Sequence, residues 1–207
     1  MRRLSLLAGT VLVAWSTLAA PSAQTVPFGR PHSVKFAVIG DNGTGGRQQL
    51  EVGQQMIARR AGFPFEFVLM MGDNLYNGQD FAGKFERPYA ALLDAGVKFY
   101  AAIGNHDDAQ AQIRYPAFNM NGARYYTFVK RHIRFVVADT NFLDQVQLAW
   151  LETTLKSSSE QWKIVFFHHP LYSNGDRHGS NVELRVRLEP ISFPTRRSSD
   201  LDRKSVV

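Results

Sequence analysis

Four apolar, β-type runs in this chain each stop at a side chain able to bind a metal ion, and that recurrence limits the folds open to it. The run 33–41 ends Gly40-Asp41, and the run 65–73 ends Gly72-Asp73. The run 98–105 ends Gly104-Asn105, followed by His106 and Asp107, while the run 162–168 ends at His168, followed by His169 and Pro170. Helical stretches separate them, at 47–60 after the glycine-rich turn 42–46, and at 81–95 with Pro88 interrupting it. Residues 125–130 and 133–140 predict an antiparallel hairpin around Arg131-His132. Residues 142–156 predict a helix with Leu143, Val146, Trp150, Leu151 and Leu155 on one side, and 181–190 an amphipathic segment at strand or helix spacing. Strands alternating with helices, with strands apolar along their whole length, predict an α/β domain around a buried sheet.

Sites in such sheets gather beyond the carboxyl ends of the strands. Gly-Asp is also ordinary turn chemistry, so Asp41 or Asp73 alone reads equally as a turn or helix-cap residue, and Tyr76 alone as a packed aromatic. Four such endings in succession point to a site. The chain has no cysteine, which excludes a disulfide framework, a thiolate zinc site, an iron–sulfur cluster and a cysteine nucleophile. Oxygen and imidazole donors without sulfur suit iron, manganese or zinc. The turn 42–46 lacks the Lys-Ser/Thr of a phosphate-binding P-loop, which argues against nucleotide binding there. Neighbouring strand residues face opposite ways, so only one of His168 and His169 turns to the site.

The formal net charge of +6 suggests a nucleic-acid partner until it is located. Residues 24–190 carry 18 basic and 16 acidic side chains, so most of the excess sits at the ends and no nucleic-acid partner is expected. The first 23 residues pair Arg2 and Arg3 with an apolar stretch from Leu4 to Ala20 and small residues to Ala23, the pattern of a cleaved secretory signal peptide. The expectation is a secreted or periplasmic protein with no stable membrane span once that segment is removed. After Ile191 the sequence loses periodicity and apolar content, so 191–207 reads as a disordered basic tail or as foreign sequence, leaving a domain at 24–190.

The blocks Gly40-Asp41-Asn42-Gly43, Gly72-Asp73-Asn74-Leu75-Tyr76, Gly104-Asn105-His106-Asp107 and Val165-Phe166-Phe167-His168 resemble the first four motifs of calcineurin-like metallophosphoesterases. Tyr76 points to the purple acid phosphatase branch, of the small tartrate-resistant-like type. The resemblance implies a four-layer α/β/β/α sandwich with mixed sheets, and an exported, monomeric acid phosphatase that hydrolyses small phosphomonoesters by metal-activated hydroxide attack. It implies Fe(3+) with a second, divalent metal (Fe, Zn or Mn). Asp41 would bind the ferric ion, Asp73 would bridge both metals, and Tyr76 would be a phenolate ligand to iron. Asn105 and His168 would hold the divalent metal, His106 would contact phosphate and help protonate the leaving group, and Asp107 would orient His106. His178 becomes a substrate-side histidine by the resemblance, although its loop suits an ordinary surface residue as well. The family's fifth block, Gly-His-x-His, has no counterpart here. The expectation is therefore a truncated domain lacking its last strands, metal-poor and impaired. A phosphodiesterase or nucleotidase of the same superfamily, and a non-catalytic binding domain on the same scaffold, are the competing readings.

Overall fold

The computed structural model describes residues 32–175 and 179–192. The expected signal segment 1–23, residues 193–207 of the expected tail, and Arg177 with His178 lie outside the described residues. Strands β1 (Phe36–Ile39), β2 (Phe67–Met70) and β3 (Lys98–Ala101) form one sheet in that order. All are parallel, with Ile39 opposite Met70 and Met70 opposite Ala101. The central strand reads Phe-Val-Leu-Met and every residue in it is buried, as a parallel strand covered on both faces requires. Strands β4 (Tyr126–Lys130), β5 (Ile133–Val137) and β6 (Trp162–Phe166) form a second sheet. The β4–β5 hairpin turns at Arg131, whose φ is +52°, and β6 joins β5 in parallel. Among the described residues the second sheet is mixed and the first is parallel.

The sheets share one core. Phe67 stands edge-on to Phe135 with ring centroids 5.4 Å apart, and Tyr100 stacks on Phe128 at 3.8 Å. Burying such a ring is worth about 1.5–3 kcal/mol, so these aromatic contacts help to join the two sheets. Helices α1 (Arg47–Arg60) and α2 (Arg87–Asp94) pack together, with Met56, Ile57, Tyr89 and Leu92 joining this core. Helices α4 (Gln145–Ser157) and α5 (Val182–Ser192) lie over the second sheet, where Leu148, Leu151, Leu184 and Leu188 meet Val136 and Val165. The result is the expected sequence of layers: helices, sheet, sheet, helices.

Two local expectations need correcting. Pro88 does not end the helical run: Glu86 and Arg87 keep helical backbone and the chain passes through Pro88 into α2. The irregularity lies just before it, a π-helical turn at Ala82–Glu86. With no N–H on Pro88, the Lys84 carbonyl four residues earlier is free, and Gln49 Nε2 takes it at 2.6 Å. In α4 the inward stripe is Leu148, Leu151 and Leu155, while Val146 is 68% exposed. Asp144 caps the helix through the Gln147 N–H, so the helical register starts later than the apolar run 142–156 suggests.

Candidate metal centre

The parallel register brings the carboxyl ends of β1, β2 and β3 to one edge, and β6 delivers His168 to the same place. One ligand atom each from Asp41, Asp73 and His168 lie within 4.8 Å of one another. His168 Nε2 lies 3.5 Å from Asp73 Oδ1 and 3.0 Å from Asn105 Oδ1. Tyr76 completes the group, its hydroxyl donating to Asp41 Oδ1 at 3.4 Å. All the residues expected as metal ligands are thus gathered in one place.

The local backbone is unusual where it must be. Asp41 and Asp73 both sit at φ +52°, in the left-handed region that few non-glycine residues enter. The turns are welded to each other: Asp41 N–H donates to Gly72 O, Gly43 N–H to Asp73 O, and Tyr76 N–H to Gly43 O. Gly104 is required by close approach, because a Cβ there would fall 2.1 Å from Asp73 N and 2.2 Å from Asp73 Oδ1. Lys84 fixes the Tyr76 loop by donating from Nζ to the carbonyls of Tyr76 and Asn77.

The donor chemistry fits a cation. Asp73 is 3% exposed, and among the described residues neither it nor Asp41 pairs with a lysine or arginine. Buried carboxylates in that position are paired or bind metal. The Met71 carbonyl, 3.0 Å from His168 Nδ1, can only accept, so Nδ1 carries the proton. In the neutral ring the Nε2 lone pair then faces Asn105 Oδ1, an acceptor facing an acceptor that a cation between them relieves. Burial, and then the Asp73 and Asp41 carboxylates, push the Tyr76 hydroxyl well above the usual phenol range. A bound cation would reverse the carboxylate contribution by neutralising them.

The remaining expected residues are arranged differently from one another. His106 is exposed at the rim, its backbone N–H donating to Asp73 Oδ1 at 3.0 Å and its ring 5.1 Å from that of Tyr76. Asp107 makes no hydrogen bond to the His106 ring. Its carboxylate accepts from the N–H groups of Gly104 and Leu75 and from the amides of Gln112 and Asn74. A short side chain so occupied organises backbone rather than orienting the imidazole. Burial raises its carboxyl above the ordinary value, against the pull of those donors. His169 turns to Thr140 Oγ1 at 2.7 Å, leaving His168 alone to face the ligand cluster. Asn74 and Gln112 were not expected at the site. Asn74 lies inside a recognised block, whereas Gln112 carries no sequence signal.

A family model for the calcineurin-like phosphoesterases matches residues 34–191. The chain belongs to the calcineurin-like phosphoesterase family. It is 30% identical over 197 residues to purple acid phosphatase 17 of Arabidopsis thaliana, covering 77% of this chain and 58% of that protein. It is 25% identical over 227 residues to human tartrate-resistant acid phosphatase type 5, covering 86% and 69%. The chain therefore spans less than two thirds of the Arabidopsis relative. Among solved structures, the anchor of the inner membrane complex of Plasmodium superposes with a TM-score of 0.64 at 20% identity, covering 76% of this chain and 61% of that one. A dimetal phosphatase from Danio rerio gives 0.57 at 16% identity, covering 77% and 78%. These two likenesses concern the fold. Among the described residues, no helix is long and apolar enough to cross a membrane.

Proposed function

We propose that this phosphoesterase-family chain carries the dinuclear metal centre of an exported, acid phosphatase-like phosphomonoesterase. The observation that carries the reading is the convergence of Asp41, Asp73 and His168 within 4.8 Å, with the Tyr76 hydroxyl bonded to Asp41 and Asn105 Oδ1 3.0 Å from His168 Nε2. Asp41, Asp73 and Tyr76 would hold a ferric ion, and Asp73, Asn105 and His168 a divalent one. Bound metals would supply Lewis-acid polarisation of the phosphoryl group and activate the attacking water. The chain's own residues do the rest. His106, exposed at the rim and held through its backbone N–H, presents a ring nitrogen that can give a proton or a hydrogen bond to the leaving oxygen. The His168 Nδ1–H bond to Met71 O keeps Nε2 turned toward Asp73 and Asn105. Lys84 pins the main chain of Tyr76, so the phenol approaches Asp41 from a fixed loop.

Tyr76 favours this reading over a phosphodiesterase without a phenolate ligand, because a phenol among carboxylates suits a trivalent ion. Export rests on the Met1–Ala23 pattern, and the phosphomonoester class on the named relatives. The test is to load the chain with iron and zinc, measure bound metal by elemental analysis, and assay a chromogenic phosphomonoester at acidic pH. In a chain without the Gly-His-x-His block the expected outcome is weak metal uptake and low turnover, with uptake abolished in Asp73→Asn and any tyrosinate-to-iron band abolished in Tyr76→Phe. Equal uptake by wild type and Asp73→Asn would overturn the proposal.

A further inference from the structure

The Asp107 carboxylate, which the His106 ring does not use, is the hub of a buried polar clasp. Its Oδ1 accepts from Leu75 N at 3.0 Å and from Gln112 Nε2 at 2.7 Å. Its Oδ2 accepts from Gly104 N at 2.8 Å and from Asn74 Nδ2 at 3.2 Å. Asn74 Nδ2 also donates to Gln112 Oε1 at 3.0 Å and to Ala102 O at 2.7 Å. Asn74, Asp107 and Gln112 therefore close a ring, with each member bonded to the other two.

The ring joins two loops. Asn74 and Leu75 directly follow Asp73, and Gly104 directly precedes Asn105. Gln112 arrives on the short helix α3 (Ala109–Gln112), which Asp108 caps through the Ala111 N–H. We propose that Gln112 and Asn74 are positioning residues of the metal centre, holding the Asp73 and Asn105 loops at ligand separation through Asp107. Both amides are 0% exposed, so water does not replace a lost partner, and a deletion leaves buried polar groups unpaired. The Asn74 amide keeps this orientation although its Oδ1 has no partner. Turning the amide over would set that oxygen against three acceptors, those of Ala102, Asp107 and Gln112.

The inference rests on the metal-centre reading, and its test separates the two. Zn2+ alone is titrated into the full chain by calorimetry, for wild type, Gln112→Glu and Gln112→Met, and metal-free thermal unfolding is followed for each. Gln112→Glu sets a carboxylate against Asp107, and Gln112→Met keeps length while removing both hydrogen bonds. The expected result is Zn2+ affinity about 10–100-fold weaker in both variants, with a metal-free transition that stays cooperative. A folded variant with wild-type affinity would refute the inference alone. Two variants that unfold without metal would show Gln112 to be merely structural and refute it as well. A wild-type chain that binds no Zn2+ would refute the metal-centre reading, and this inference with it.

Discussion

Replacing Gly104 by alanine tests whether the two ligand loops must touch. The added methyl carbon would meet Asp73 N at 2.1 Å, Asp73 Oδ1 at 2.2 Å and Asp73 Cα at 2.9 Å. Ordinary contact needs at least about 3.4 Å, so either the loop bearing Asp73 or the one bearing Asn105 must retreat by about 1 Å. Main-chain atoms at 2.1 Å leave no side-chain rotamer to absorb the clash. Overpacking of this kind costs about 1–3 kcal/mol, here at the upper end because Asp73 is buried and bonded through its carboxylate to the His106 N–H. In a chain of this length that loss is a fall of about 5–10 °C in Tm. Metal affinity should fall by ~10–100-fold, because the displaced carboxylate is the one that both metals would share. Gly62→Ala is the control: nothing lies within 4 Å of its Cβ position, and its stability should stay within about 0.5 kcal/mol of wild type. Differential scanning calorimetry and zinc titration on both variants decide the matter. A Gly104→Ala protein with wild-type Tm and wild-type zinc affinity would refute the claim that contact between these loops sets the site.

Two other perturbations test the framework. Arg134 grips Glu160 through Nε and Nη2 at 2.9 and 2.8 Å, and Ser158 adds a third bond, so the Glu160 carboxyl falls from 4.5 to about 2. Because the folded value is depressed, this stabilisation is complete above about pH 4.5 and fades as pH falls toward 2. Glu160→Gln should remove about 1–2 kcal/mol at pH 6, after allowance for solvent screening, and almost nothing at pH 2. Urea unfolding across that range reads it, and a pH-independent difference would contradict it. Arg124 Nε donates to Asp139 Oδ2 at 2.5 Å, and Asp139 is 1% exposed. Arg124→Leu should cost about 3 kcal/mol by stranding that carboxylate, and adding Asp139→Asn should recover part of it. Chemical denaturation that found the double variant no more stable than the single one would count against the pairing.

The strand ends were legible because parallel pairing and a buried sheet leave few alternatives for apolar runs that stop at Gly-Asp or Gly-Asn-His. The helical faces were less so. Val146 and Leu148 differ by less than one turn, and only the Asp144 cap decides which of them faces Val136 and Val165. The role of Asp107 was hidden because its partners, Gly104, Leu75, Asn74 and Gln112, come from three segments. No local pattern reports such a ring. Pro88 misled for a related reason: its local effect is a freed carbonyl, and the Gln49 amide that takes it is 35 residues away in sequence from Lys84. His178 lies outside the described residues.

The left-handed turns at Asp41 and Asp73 bear on how this sequence changes over generations. Each aspartate at φ +52° gives up about 1 kcal/mol against a glycine, which takes that conformation freely. A lineage selected only to stay folded would drift toward glycine or asparagine at both positions and gain stability by doing so. A library screened for thermal survival alone should enrich those substitutions first, and they remove the carboxylates that make the cluster a ligand set.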